Sequence, residues 1–296
     1  MSCSGVESGA FNARAASGIP AESGEIHFSA MDVSRTPVPA VDSSTVMVLR
    51  DTVEGVEVLM LERHLDSDFV GGAFVFPGGK VDQADVLDAE LWSGIDPTVE
   101  AGRMNADTDV ALALYVAAVR ETFEEGGLLF ARRDGRPVAE SDLDSGSFKA
   151  ARARLNSRTE SWDWSEWLRT ENLVLDLGAL TWWSWWVTPE GVHRRYDTRF
   201  FVALAPADQT AAHDEVETVH SVWTTPDRAL AAAAEGTAMV ILPTRKNLEQ
   251  LRQHQTAEAA LEWAADRIPP RIGPEIVRDG GRVVVRHETF GSIEEL

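Results

Sequence analysis

FPGGKVDQAD (Phe76–Asp85) and RETFEEGGL (Arg120–Leu128) are two short stretches that each look like half of one site. The first holds a proline, two adjacent glycines and two acids. Paired glycines let a backbone come close to a ligand and turn its carbonyls or amides into it. The second holds an arginine and three glutamates at helical spacing. Glu121, Glu124 and Glu125 stand at i, i+3 and i+4 and so share a helix face. Three carboxylates on one face repel each other unless positive charge lies among them. Arg120 supplies one such charge, and a hard divalent cation such as Mg²⁺ is suited to supply more, because it prefers oxygen ligands and retains waters and substrate phosphates. Taken alone, the helix reads as a solvated acidic face with an Arg120–Glu124 pair worth about 0.2–0.5 kcal/mol. The glycine loop, with Asp82 and Asp85 directly behind it, shifts that reading toward a metal and phosphate site.

Around these halves, SSTVMVLRD (43–51) and GVEVLMLER (55–63) are β-branched and apolar and predict a hairpin. GGAFVFPGG (71–79) predicts a short strand entering a turn. Thr108 to Glu125 lacks proline and glycine and is rich in Ala and Leu, the strongest helix in the chain, with Gly126-Gly127 as its stop. LLFAR (128–132), ALTWWSWWV (179–187), RYDTRFFVALA (195–205) and RVVVRHE (282–288) predict further strands, and EVETVHSVW (215–223) a strand or an extended loop. TPDRALAAAAEG (225–236), PTRKNLEQLRQ (243–253) and AEAALEWAADRI (257–268) predict helices. Strands mixed with helices imply an α/β layered fold. Residues 1–40 are rich in Ser, Ala and Gly and predict a mobile tail, with Met31 as an alternative start.

The chain has 296 residues and a net charge of −21, with 44% apolar and 25% charged residues. Such an acidic balance argues against a nucleic-acid binder, which needs a basic footprint. A single cysteine, Cys3, permits no intrachain disulfide. No apolar run approaches the ~18 residues of a membrane helix. A cytoplasmic protein with no membrane partner is the expectation, and a homodimer is the assembly kept in view.

Together the two halves resemble the Nudix box, G-x5-E-x7-R-E-U-x-E-E-x-G-U, where U is aliphatic. Gly79 begins the pattern, Asp85 stands at the first acid, and Arg120-Glu121, Glu124-Glu125, Gly127 and Leu128 complete it. Three departures stand out: Asp for Glu at position 85, Thr122 in place of an aliphatic, and 34 residues (86–119) where the pattern has 7. The halves must meet in space rather than in sequence, and an insertion at about 86–107 can bulge outward at low loop-closure cost. A long insertion here resembles the peroxisomal coenzyme A diphosphatases of eukaryotes and their bacterial relatives. The resemblance implies a Nudix-type α/β/α sandwich with a mixed sheet, spanning 41–296. A helical, Trp-rich insertion at about 140–170 and a C-terminal extension at about 243–296 would be added to it.

The resemblance also implies hydrolysis of a diphosphate linkage in a small-molecule nucleoside diphosphate derivative, with Mg²⁺ or Mn²⁺ as cofactor. Gly79 (through its carbonyl), Glu121, Glu124 and Glu125 would hold the metal. Glu121 would act as base, and Arg120 would hold the carboxylates in position. A further acid is expected from beyond the helix, Glu217 first and Glu215 as the alternative. The coenzyme A-cleaving members carry a second motif, roughly L-L-T-x-R-[SA]-x3-R-x3-G-x3-F-P-G-G-x2-D. The stretch 59–82 keeps Leu59, Arg63, Gly72, Phe76–Gly79 and Asp82, but has His64 for Ser or Ala and Asp68 for the second arginine. Arg63, Arg195 and Arg199 are candidates for substrate phosphates, with surface pairing an equal reading for the last two. Tryptophans 162, 164, 167, 182, 183, 185 and 186 are too many for one nucleobase and are expected to pack the core. Three functions stay open: coenzyme A or acyl-coenzyme A hydrolysis, the same chemistry on a dinucleotide or nucleotide sugar, and a nucleotide-binding regulator without hydrolysis.

Overall fold

A computed structural model describes residues 38–64, 72–157, 162–192, 194–214, 218–279 and 282–293. The predicted tail up to residue 37, Asp68, His193, Glu215 and Glu217 lie outside them. The predicted hairpin is β1 (Val41–Thr52) and β2 (Gly55–Arg63), paired antiparallel from Leu49↔Val58 to Thr52↔Gly55. The chain returns through β3 (Phe74–Val75), which pairs with β2, and β4 (Gly78–Lys80), which pairs with β1 at Ser43–Thr45. The glycine turn is thereby stitched into the sheet as a strand edge. The box insertion contains β5 (Trp92–Ser93) and α1 (Pro97–Met104), and the long helix is α2 (Thr108–Gly126).

The next segment holds β6 (Ala131–Arg133), β7 (Arg136–Pro137), α3 (Glu140–Leu143), α4 (Gly146–Leu155), α5 (Ser165–Thr170) and β8 (Leu173–Asp176). The strand expected at 128–132 starts late, since Leu128–Phe130 are buried without joining a ladder. β9 (Thr181–Val187), β10 (Tyr196–Leu204) and β11 (Thr218–Thr224) follow, then α6 (Pro226–Ala234), α7 (Leu242–Leu251) and α8 (Ala257–Ala265). The chain closes with β12 (Arg271–Ile272), β13 (Glu275–Asp279), β14 (Arg282–His287) and β15 (Gly291–Ile293).

The main sheet has the order β11-β2-β1-β10-β9-β12, with β1 and β10 parallel and the β1–β2, β2–β11 and β9–β10 pairs antiparallel. Its central strands are apolar on both faces because both faces are covered. Strand alternation divides them. Val46, Val48, Leu59, Leu61, Phe201 and Ala203 pack with α2, whereas Met47, Leu49, Val58, Met60, Phe200 and Val202 pack with α6–α8. The result is the mixed α/β sandwich the sequence implied. Helix α2 is buried almost all round, from Ala111 to Phe123, because the sheet covers one side and the inserted segments another. A second sheet, β5-β8-β6-β7, joins the box insertion to strands that flank the segment 140–170: Trp92 of β5 sits opposite Leu175 of β8.

This corrects the picture of a bulging insertion. Leu87, Leu91, Ala101 and Met104 are buried in the same cluster as α2. A Cβ at Gly94 would stand 2.5 Å from the Gly178 nitrogen, so the insertion is pressed against the chain near β8. The tryptophans pack: Trp164, Trp167, Trp182, Trp183 and Trp186 are buried.

Candidate active site

The two halves of the box meet at the C-terminal end of α2. Ser44 of β1 donates to the Leu114 carbonyl at 2.6 Å and sets α2 on the sheet. The pairing of β4 with β1 then carries the glycines under the last turns of the helix. The glycines are needed there for space. A Cβ on Gly78 would lie 2.4 Å from the Ser44 carbonyl, and one on Gly79 would lie 2.4 Å from Glu121 Oε1. The helix stops at Gly127, left-handed at φ 72°, whose N–H returns to Phe123 and Thr122.

Arg120 is the centre of the site and is only 7% exposed. Its Nε and Nη2 fork onto Asp85 at 2.7 and 2.9 Å, Nη2 also reaches the Lys80 carbonyl at 2.9 Å, and Nη1 meets Glu121 at 2.8 Å and Glu124 at 3.3 Å. One guanidinium thus spans loop and helix, which its planar fork allows and a lysine would not. Burial works against its charge, but Glu121, Asp85 and Glu124 outweigh that and hold its pKa well above the usual arginine value. Asp85 is fully buried, and it closes its own loop by accepting the Asp82 N–H at 2.7 Å. Burial pushes its carboxyl up, opposed by Arg120 and the Asp82 amide. Asp85 therefore stands as the counter-charge of Arg120, a role for which its shorter side chain reaches. Glu125, 3% exposed, accepts the Gly78 N–H at 2.9 Å.

Glu121 and Glu124 share Arg120 Nη1, Gly79 lies beside Glu121 and Glu125 accepts from Gly78, and carboxylates are the hard oxygen donors that Mg²⁺ or Mn²⁺ takes. Among the described residues no three His, Cys, Asp or Glu side chains form a ready-made ligating group. Mg²⁺ rarely uses such a cage, taking one or two carboxylates with waters and substrate phosphates. Glu217 lies outside the described residues, as does its alternative Glu215.

The three candidate arginines are not brought to this cluster in the same way. Arg195 donates to the carbonyls of Val38 at 2.8 Å and Thr188 at 3.1 Å. Arg199 lies 4.1 Å over the Trp185 ring and pairs with Asp197 and Asp42. Arg63 ends β2, opposite Thr218 of β11. Two residues that the sequence reading passed over hold the end of α2. Arg152 of α4 and Asn156, which caps that helix, donate to the Glu124 carbonyl at 2.8 and 3.3 Å. No spacing in the chain marks them, since their partners are main-chain carbonyls.

The fold and this site define a Nudix protein. Residues 98–246, half of the chain, match the family described as the NUDT19 Nudix domain, and the chain belongs to that family of Nudix hydrolases. The acyl-coenzyme A diphosphatase NUDT19 of Xenopus laevis is 27% identical over 205 residues, covering 59% of this chain and 54% of that protein. Its Gallus gallus counterpart is 29% identical over 211 residues, covering 59% and 55%. The chain thus spans about half the length of these curated relatives. A crystal structure of a Nudix hydrolase from Alicyclobacillus acidocaldarius is 28% identical, covers 79% of this chain and 99% of that one, and superposes with a TM-score of 0.62.

Proposed function

We propose that this chain hydrolyses the diphosphate linkage of a nucleoside diphosphate derivative, with coenzyme A or an acyl-coenzyme A as the favoured substrate. The observation that carries the reading is the Arg120 cluster. A buried arginine with Asp85, Glu121 and Glu124 around it, beside a glycine strand that leaves room for the Glu121 carboxylate, is more than an acidic helix face requires. The coenzyme A preference rests on the names of the relatives and on the residues kept in the stretch 59–82.

Gly79, Glu121, Glu124 and Glu125 would hold Mg²⁺ or Mn²⁺, with Glu217 as the further acid. The bound ion would polarise a phosphoryl oxygen and lower the pKa of a water. Glu121 receives the proton of the attacking water. Arg120 keeps Glu121 and Glu124 apart and in place and does not touch substrate. The Gly78–Lys80 strand gives the carboxylates a rigid backbone to rest against.

A screen of diphosphate compounds with Mg²⁺ and Mn²⁺, reading products by mass, tests this directly. Excess chelator should abolish hydrolysis and either ion should restore it. Glu121→Gln should lower turnover by roughly 10²–10⁴, the range for loss of a general base. Full activity in chelator, or a near-normal rate for Glu121→Gln, overturns the assignment.

A further inference from the structure

The spacing of the box poses a mechanical problem. A short connection would hold loop and helix in register covalently, but here 34 residues (86–119) intervene. Arg120 bridges loop and helix directly, and a second tie from outside the box would help keep Ala84–Asp85 and Arg120–Glu125 in place to the fraction of an ångström that catalysis demands. The segment from α4 to α5 touches both halves. On the helix half, one guanidinium takes three main-chain carbonyls. Arg152 Nε donates to Glu124 O at 2.8 Å, and Nη2 donates to Glu125 O at 3.0 Å and to Ala212 O at 2.5 Å. Asn156 adds a second donor to Glu124 O, and the Ala212 N–H returns to Gly126 O at 2.9 Å. Gly127 lies so close that a Cβ there would stand 3.1 Å from Arg152 Nη1. Phe123, between the catalytic acids on α2, stacks on Trp167 of α5 at 6.0 Å and 5°.

On the loop half, the Trp164 indole, wholly buried, donates to the Ala84 carbonyl at 3.2 Å, one residue before Asp85. Arg169 pairs with Asp88 and, at 3.5 Å, with Glu90 just beyond. Phe148 of α4 meets Trp167 of α5 edge-on at 5.0 Å, so the elements that carry the two contact points pack on each other.

We propose that the helical insertion is the clasp of the divided box, and that Arg152 is the positioning residue that fixes the peptide units of Glu124 and Glu125. The inference rests on α2 being the catalytic helix. A carbonyl at a helix C-terminus has no partner within the helix, so Glu124 and Glu125 lie where the backbone would otherwise fray. A cation there also complements the helix dipole. Burial draws the Arg152 pKa below its usual value, while Asp214 and Glu124 oppose that pull. The two donor nitrogens, Nε and Nη2, are held apart on one planar fork and a single ammonium cannot stand at both, so lysine is the informative substitution.

The test compares Arg152→Lys and Trp164→Phe with the unaltered chain. Arg152→Lys should lower kcat by roughly 10–100-fold, because displacements near 1 Å at a reacting group cost this much. KM should change less than about threefold, and the Mn²⁺ concentration for half-maximal rate should rise severalfold. Trp164→Phe keeps an aromatic ring but removes the indole N–H donor, and should show the same pattern from the loop side. Amide hydrogen exchange supplies a readout that needs no substrate. Protection at 124–128 should fall in Arg152→Lys and at 84–87 in Trp164→Phe, with β14 unchanged. If both variants keep normal kcat, metal response and protection, the insertion is packing and the clasp is wrong. If the unaltered chain hydrolyses nothing in the screen, exchange still decides the clasp while the proposed function falls separately. Should Arg152→Lys fail to fold, Asn156→Ala and Trp164→Phe decide by the same measures.

Discussion

A Cβ at Gly79 would stand 2.4 Å from Glu121 Oε1, whereas one at Gly78 would stand 2.4 Å from the Ser44 carbonyl. The two neighbouring glycines therefore answer to different pressures. Gly79→Ala displaces the end of a flexible side chain, so turnover should fall at least tenfold with the melting temperature nearly unchanged. Gly78→Ala meets main chain and should lower the melting temperature through the β1–β4 pairing. Equal thermal effects would show that Glu121 does not rest on Gly79. Thr122 occupies the aliphatic position of the box without penalty because its hydroxyl, fully buried, donates to Ala118 O at 2.7 Å. Away from the site, Asp142 accepts from Arg136, from the Ala139 N–H and from Arg133, which hold its carboxyl well below the usual carboxylate range. A depressed folded-state pKa adds stability above the unfolded value near ~4 and loses it as pH falls toward the folded one. Asp142→Asn should therefore melt lower at pH 7, and the gap should narrow progressively as the pH falls below about 4.

At the scale of elements, the box insertion carries the sharpest revised expectation. Leu91 is 3% exposed, and Tyr115 of α2 donates to Glu100 of α1 at 2.8 Å. Replacing 86–107 by a Gly/Ser linker would remove β5, open one face of α2 and leave the Tyr115 hydroxyl without its acceptor. The product should unfold or form a loose state, seen as lost near-ultraviolet dichroism. Leu91→Ala alone should cost about 2–5 kcal/mol in denaturant unfolding. A stable, active linker variant would restore the outward bulge. Here the sequence could be read for what the elements are but not for where they dock. α1 has a legible start, Asp96 capping Thr98 and Val99 ahead of Pro97, yet nothing local announces that it lies on α2. Likewise β5 is two residues long, and its partner β8 is distant in the chain.

For the whole molecule, a net charge of −21 sets a field that opposes an anionic substrate. Screening from about 0.01 M to 0.15 M ionic strength shortens the Debye length from about 30 to 8 Å. At fixed free divalent ion, kcat/KM on a diphosphate substrate should rise over that range. A fall would reveal local positive steering at the mouth of the site. The sequence by itself determined the two half-boxes, the hairpin and the long helix with its glycine stop, because each depends on residues within a turn or a strand of one another, and the family followed from reading the two halves together. Only the tertiary structure decided that Asp85 faces Arg120, that Arg195 reaches the Val38 and Thr188 carbonyls and Arg199 pairs with Asp42 and Asp197, and that Arg152 and Trp164 contact the two halves of the box. Those contacts join residues far apart in the chain through main-chain carbonyls and buried charge, and no local spacing encodes which carbonyl a distant side chain will reach.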